Sequence, residues 1–386
     1  METQALYDLT PIARLALLGI VIALGPLAWV WLRNRHAAPS VRLAALTALT
    51  LFLTFDLVVF GAFTRLTDSG LGCPDWPGCY GAASPVGARA EITAAETAMP
   101  TGPVTHKKAW IEMIHRYLAT GVGVLIMVMA ITSWMERKRL ALSPWWATAT
   151  LVWVCVQGAF GALTVTMKLY PAIVTAHLLG GLFLLALLTA QHQVYRARQL
   201  VLSPGLHRLA WALFALLWVQ IALGGWVSTN YAVLACPDFP TCHGQWWPAM
   251  DFQQGFQIAR PLGERREGGY LSFDALTAIH YTHRLAAYVV LAALVGYAVL
   301  LWQRGLAHRR YAGWLLGGAF WQFASGLSNV VLGWPLVAAL AHTAGAAGLV
   351  MVLTALLTQA HLARRRVAAA HPAADVLAPA RGRAAS

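Results

Sequence analysis

Residues 73–81 read CPDWPGCYG, and residues 236–244 read CPDFPTCHG. Six of the nine positions are identical and a seventh exchanges Trp76 for Phe239, so one segment occurs twice, 163 residues apart. The register extends upstream, pairing Gly61 with Gly224 and Leu71 with Leu234. Downstream, His115-Arg116 pairs with His283-Arg284 at an offset of 168, and Gln157 and His177 pair with Gln322 and His342 at 165. The offset drifts only in connecting segments, where insertions are tolerated.

The repeat sits in a strongly apolar chain. Of 386 residues, 59% are hydrophobic and 11% are charged, with 17 Trp, whereas a soluble domain carries roughly 25% charged residues. Disorder, a nucleic-acid module and a secreted disulfide scaffold are poor readings of that composition. Nine stretches are long enough to cross a bilayer, which takes roughly 20 residues as a helix: 11–32, 41–63, 109–134, 144–167, 171–190, 207–229, 273–302, 311–333 and 335–359. The last two share a turn at Gly333, Trp334 and Pro335. Glu2 and Asp8 replace the basic lead-in of a signal peptide, so the first stretch reads as a retained helix.

The expected fold is an all-α polytopic membrane protein. Two tandem pseudo-symmetric four-helix bundles, 41–190 and 207–359, follow one extra N-terminal transmembrane helix within 1–40. Residues 191–206 form a cytoplasmic linker and 360–386 a disordered basic tail. Repeats running in the same direction are related by an axis along the membrane normal.

Alternate loops gather 17 of the 28 Lys and Arg on one side: Arg33, Arg35, Arg42, Arg137, Lys138, Arg139, Arg196, Arg198, Arg208, Arg304, Arg309, Arg310, Arg364, Arg365, Arg366, Arg381 and Arg383. Only Glu136 and Asp375 accompany them. The positive-inside rule makes that side cytoplasmic, with the N-terminus outside and the C-terminus inside. The net charge of +13 is therefore a topological signal, and no nucleic-acid partner is expected.

Five histidines fall within the spans: His115, His177, His280, His283 and His342. A lone buried His can simply bond a neighbouring helix, but here four form two equivalent pairs on helices running the same way. At about 1.5 Å per residue they share one layer in the outer half of the membrane. Two facing imidazoles suit six-coordinate haem iron. A non-haem metal site is the alternative, since imidazole also suits zinc, copper and iron, although two separate symmetric pairs fit it less well.

The repeat breaks at one informative position. Glu112 lies three residues before His115, whereas His280 lies three before His283. A carboxylate one turn from a macrocycle can accept a proton, act as nucleophile or stabilise a cation; a hydrated, inert carboxylate is the plainer alternative. Arg116 and Arg284 read as propionate partners or as side chains snorkelling to the interface. Cys73 with Cys79 and Cys236 with Cys242 read as two local disulfides in outer loops, with a zinc site as the alternative. Cys155 reads as packing, and Gln157, Gln220 and Gln322 as interhelical hydrogen bonds. Asp56 reads as a buried acid that serves a proton route or pairs with Arg65.

GAFTRLTDSGLGCPDWPGCYG at 61–81, IEMIHR at 111–116, GGWVSTNYAVLACPDFPTCHG at 224–244, THR at 282–284 and AHTAG at 341–345 resemble the haem A synthase family, over roughly 41–359. The resemblance implies oxidation of the C8 methyl of haem O to a formyl by successive hydroxylations, with water-derived oxygen, giving haem A for cytochrome oxidase. It implies that His283 and His342 ligate a permanent haem b, that His115 and His177 face the substrate haem, and that Glu112 is the acid needed for chemistry. Arg65, Arg116 and Arg284 are candidate propionate contacts, and Cys73 and Cys79 match a loop pair linked to function in part of the family.

The implied setting is a bacterial plasma (inner) membrane. Haem O synthase and cytochrome oxidase assembly factors are candidate partners, with an unidentified electron acceptor and a candidate homo-oligomer. The added first helix and the second cysteine pair depart from the simplest family pattern. A bis-histidine cytochrome b oxidising quinol and a non-catalytic haem carrier are the competing classes.

Overall fold

The computed structural model describes residues 10–259 and 271–370. Among them every regular element is helical, beside two isolated bridges, Cys79 with Ala82 and Cys242 with Gln245. The helices are α1 (Thr10–Asn34), α2 (Pro39–Leu66), α3 (Arg89–Ala98), α4 (His106–Met135), α5 (Pro144–Thr166), α6 (Pro171–Tyr195), α7 (Pro204–Thr229), α8 (Phe252–Gly255), α9 (Phe273–Trp302), α10 (Leu306–Val331) and α11 (Leu336–Ala370).

Local chemistry sets these limits. Pro39, Pro144, Pro171 and Pro204 open helices at the position where a missing N–H costs nothing. The side chains of Thr105, Ser143, Ser203 and Ser272 accept backbone N–H groups at the starts of α4, α5, α7 and α9. The turn between α10 and α11 holds Gly333 and Trp334 in the left-handed region, which places the expected boundary there.

Large apolar side chains such as Trp31, Phe52, Trp145 and Phe320 lie exposed on the outer helix faces. A protein surrounded by water rarely shows so much apolar surface, whereas lipid accepts it. Eight helices among the described residues are long and apolar enough to cross a membrane, giving a multi-pass membrane protein. The sequence suggested nine. The difference is α10: it has 26 residues, but Gln322, Ser325, Ser328, Asn329 and its glycines reduce its apolar character. The expected tail also changes, because α11 continues to Ala370 through Ala, Leu and Arg, all good helix formers. Residues 371–386, where the rest of that tail falls, lie outside the described residues.

Helices α2, α4, α5 and α6 pack as a ring of neighbours, and so do α7, α9, α10 and α11. Contacts of α6 with α7 and α11, and of α2 with α11, join the two rings. Leu185, Leu188, Leu353 and Leu356 are fully buried in the shared core. Helix α1 lies outside the first ring against α4, where Gly19 faces Thr120 and Gly121 faces Ile22 too closely for larger residues. Such close approach supplies the dispersion contacts that hold helices together in lipid.

A second set of contacts ties the repeats at the ends of α2 and α7. The Arg65 guanidinium donates to the Ser228 carbonyl at 2.6 Å and lies over the Tyr231 ring at 4.1 Å. The Tyr231 hydroxyl donates to Asp68 at 3.0 Å, and Asp68 pairs with Arg65 at 3.3 Å. Arg65 thus takes Asp68 in place of the expected Asp56, which is exposed on the outer face of α2. Cys155 is likewise exposed on α5 rather than packed inside.

Candidate functional site

The four paired histidines stand at matching heights. His115 follows the first residue of α4 by nine positions and His283 that of α9 by ten; His177 and His342 each follow the starts of α6 and α11 by six. Each faces a glycine on a neighbouring helix. A Cβ on Gly61 would meet His115 at 3.0 Å, on Gly224 His283 at 2.9 Å, on Gly326 His342 at 3.2 Å and on Gly161 His177 at 3.7 Å. These glycines give the imidazoles room to lie between helices.

In the second ring of helices, the His283 and His342 rings face each other with centroids 6.5 Å apart. Imidazole–metal bonds of about 2 Å on each side, with each ring centre about 1 Å further out, set such centres about 6 Å apart. The pair therefore fits one axially ligated iron. Ser325 lies 3.0 Å from Nδ1 of His342, and the Gln220 amide lies 3.1 Å from Nδ1 of His283. Gln322 donates to the His342 carbonyl at 2.9 Å. Gln220 and Gln322 are thus the expected interhelical bonds, and both bear on the histidines.

In the first ring, His115 stacks on Phe60 with centroids 6.2 Å apart. Nδ1 of His177 is buried without a hydrogen-bond partner. A buried polar nitrogen left in this way is uncommon and costs free energy. Among the described residues, no three His, Cys, Asp or Glu side chains gather into a metal cluster.

Each cysteine loop is stitched to the helix that carries a histidine. Cys73–Cys79 and Cys236–Cys242 are disulfide-bonded, each with Cα atoms 4.9 Å apart, so the zinc alternative falls. Asp75 accepts the amides of Tyr80 and Gly81, and Asp238 those of His243 and Gly244. All four donors are left-handed residues that turn successive N–H groups toward one carboxylate. The Thr241 hydroxyl and the Gly244 and His243 amides hold the Asp238 carboxyl well below the usual carboxylate range.

The arginines beside the histidines close these loops. Arg116 donates to the carbonyls of Asp75, Pro77 and Gly78, and Arg284 to those of Cys236, Asp238 and Thr241. Guanidinium hydrogens that the sequence suggested for propionates are engaged by the loops, because a loop carbonyl lies within reach of each. Arg65 is engaged between the repeats in the same way.

Glu112 is buried at 4% exposure. One oxygen accepts the Cys73 amide at 2.8 Å and the other pairs with Arg116. The carboxylate is therefore buried, paired and fixed to the disulfide loop, rather than hydrated at the surface. Its counterpart His280 is also buried, with Nδ1 unpartnered.

Sequence reasoning missed Ser325, Gly161, Gly326 and the two aspartates of the loops. The aspartates were repeated in the duplicated segment. Gly161 and Gly326 share the 165 offset and could have been found by extending the alignment.

Residues 44–354 match the model of the COX15-CtaA family, described as cytochrome oxidase assembly protein. A protein of Shewanella oneidensis named heme A synthase is 37% identical over 81% of this chain and 95% of its own length. Proteins of the same name from Chelativorans sp. and Halalkalibacterium halodurans are 30% and 27% identical over 75% and 73% of this chain, and over 83% and 85% of their own lengths. With the family model spanning most of both repeats and their histidines and cysteine loops, the chain belongs to the COX15-CtaA family of cytochrome oxidase assembly proteins.

Proposed function

We propose that this chain is a haem A synthase, an integral membrane oxidoreductase that converts the C8 methyl of haem O to a formyl group. Family membership and the names of the relatives support the activity. The observation that carries the finer reading is the asymmetry of the two histidine pairs: His115 and His177 have the buried Glu112 one turn away, whereas His283 and His342 have His280.

In this reading 41–190 is the substrate half and 207–359 the haem b half. His115 and His177 hold haem O as substrate. His283 and His342 hold haem b, which supplies one-electron transfer when bound. Methyl plus water becomes hydroxymethyl with loss of two protons and two electrons. A second round gives a gem-diol that loses water to the aldehyde. The two electrons of each round pass to an external electron acceptor.

Glu112 takes up a proton or captures the activated methyl. Arg116 aims its carboxylate by pairing with it. The loop closed by Cys73 and Cys79 covers the same end of α4 and excludes bulk water there. The N-terminus lies outside and the C-terminus in the cytoplasm of a bacterial inner membrane, following the basic loops. Haem O synthase is the natural supplier of substrate, and oxidase assembly factors the receivers of product.

Expression in a host that makes haem O, followed by mass analysis of the extracted haems, tests the reading. Hydroxylated and formylated haem is the expected result. Haem O alone would overturn the enzyme reading and favour a carrier, and quinol turnover with unchanged haem would favour a cytochrome b.

A further inference from the structure

The hydrogen bonds behind the two histidine pairs are not duplicated. Ser325 donates its single hydroxyl proton to the Trp321 carbonyl at 2.6 Å. At 3.0 Å from Nδ1 of His342 its oxygen must therefore accept, so Nδ1 carries the proton and Nε2 presents a lone pair. On the facing helix, the Gln220 amide donates to the His283 carbonyl and touches Nδ1 of His283, both at 3.1 Å.

The repeat register puts Phe160 where Ser325 stands and Leu57 where Gln220 stands. Neither side chain can accept a proton from an imidazole. The consequence is visible at His177, whose Nδ1 is buried without a partner. His115 is hydrogen-bonded to the Leu57 backbone, as His283 is to that of Gln220, and stacks on the Phe60 ring, so the histidines whose outer partners differ are His177 and His342.

We propose that Ser325 makes the second pair the retentive haem site, and that Phe160, which leaves Nδ1 of His177 without a partner, leaves the first pair exchangeable. The inference rests on the assignment of haem b to His283 and His342 given above. A hydrogen bond to Nδ1–H fixes the ring and makes Nε2 a stronger donor; outer partners of this kind change metal affinity by about 10–100-fold. A permanent cofactor needs that grip. A substrate that must enter, react and depart does not, and a ring without an outer partner releases it more readily. Ser325 is thus a positioning residue.

The test uses the purified full chain loaded with haem b, with excess apomyoglobin as haem acceptor. Ser325→Ala is expected to release haem b about 10–100-fold faster and to raise its reduction potential, because a weaker ligand stabilises the oxidised iron less. Ser325→Thr, which keeps the hydroxyl, is expected to restore both. Phe160→Ser is expected to slow loss of haem O from the first site, with Phe160→Leu as the control for volume. Unchanged release and potential in Ser325→Ala, or a Ser325→Thr chain as defective as Ser325→Ala, would overturn the proposal. His342→Ala separates the two readings: if it leaves haem b binding intact, the assignment of haem b itself fails; if it abolishes binding while Ser325→Ala is unchanged, only the role of Ser325 fails.

Discussion

Arg65 and Ser228 occupy the same position in the two repeats, 163 residues apart, and the guanidinium of one donates to the carbonyl of the other at 2.6 Å. Asp68 and Tyr231 are equivalent in the same sense and also bond each other. Equivalent residues meet in this way only where a local two-fold axis passes between them.

Replacing Arg65 by Ala removes the bond to Ser228, the pair with Asp68 and the stacking on Tyr231. A hydrogen bond from a charged group contributes about 2 kcal/mol, so the variant is expected to unfold at a lower temperature in detergent. Asp68→Asn is expected to cost less than about 1 kcal/mol, since the Asp68 side chain is 58% exposed. Thermal melts of the two variants check the difference.

Glu112→Gln keeps the size of the side chain and removes its charge. Conversion of haem O is expected to fall by about 100-fold or more, the usual contribution of a positioned proton acceptor, while haem b remains bound. Mass analysis gives the first quantity and absorbance the second. Parental conversion would show that the carboxylate holds the loop without serving the chemistry.

The glycines opposite the histidines predict a graded series. Gly224→Ala sets a methyl 2.9 Å from the His283 ring and Gly61→Ala one 3.0 Å from His115, whereas Gly161→Ala meets His177 at an ordinary 3.7 Å. Overpacking of this kind costs about 1–3 kcal/mol. Gly224→Ala is expected to lose haem b and Gly61→Ala substrate haem, with Gly161→Ala close to the parent. Haem content of the purified variants decides.

Asp238 predicts a pH dependence outside the membrane. Its folded carboxyl titrates below the about 3.9 of a free Asp, held down by Thr241, Gly244 and His243. The stabilisation is complete above that value and is lost as pH falls through it toward the folded value. Asp238→Asn is therefore expected to melt earlier than the parent at pH 7, and the gap to close below about pH 4. A gap that stays constant on acidification would contradict the carboxylate's role.

Much of this architecture was legible because membrane sequences obey few rules. Long apolar runs marked most of the spans, and the doubled CPD segment marked the duplication and both disulfides. The histidines were conspicuous because so few ionisable residues lie at that depth. Less legible was anything set by where a helix points. Asp56 reads as buried from its position in a span, yet its place on α2 turns it outward. Arg116 reads as free for a ligand until the carbonyls of a loop 38 to 41 residues earlier fold onto it. Ser325 carried no signal, because its partner in the register is Phe160 and aligning the repeats hides what is unique to one.

The stitching of the cysteine loops has a mechanical consequence. Arg116 follows His115 directly and Arg284 follows His283, and each arginine grips three carbonyls of its loop. Any tilt or slide of the helix segment bearing a histidine therefore drags the loop at the membrane surface, and a pull on the loop is returned to the imidazole. Loop and imidazole thus behave as the two ends of one lever, with the arginine as its pivot.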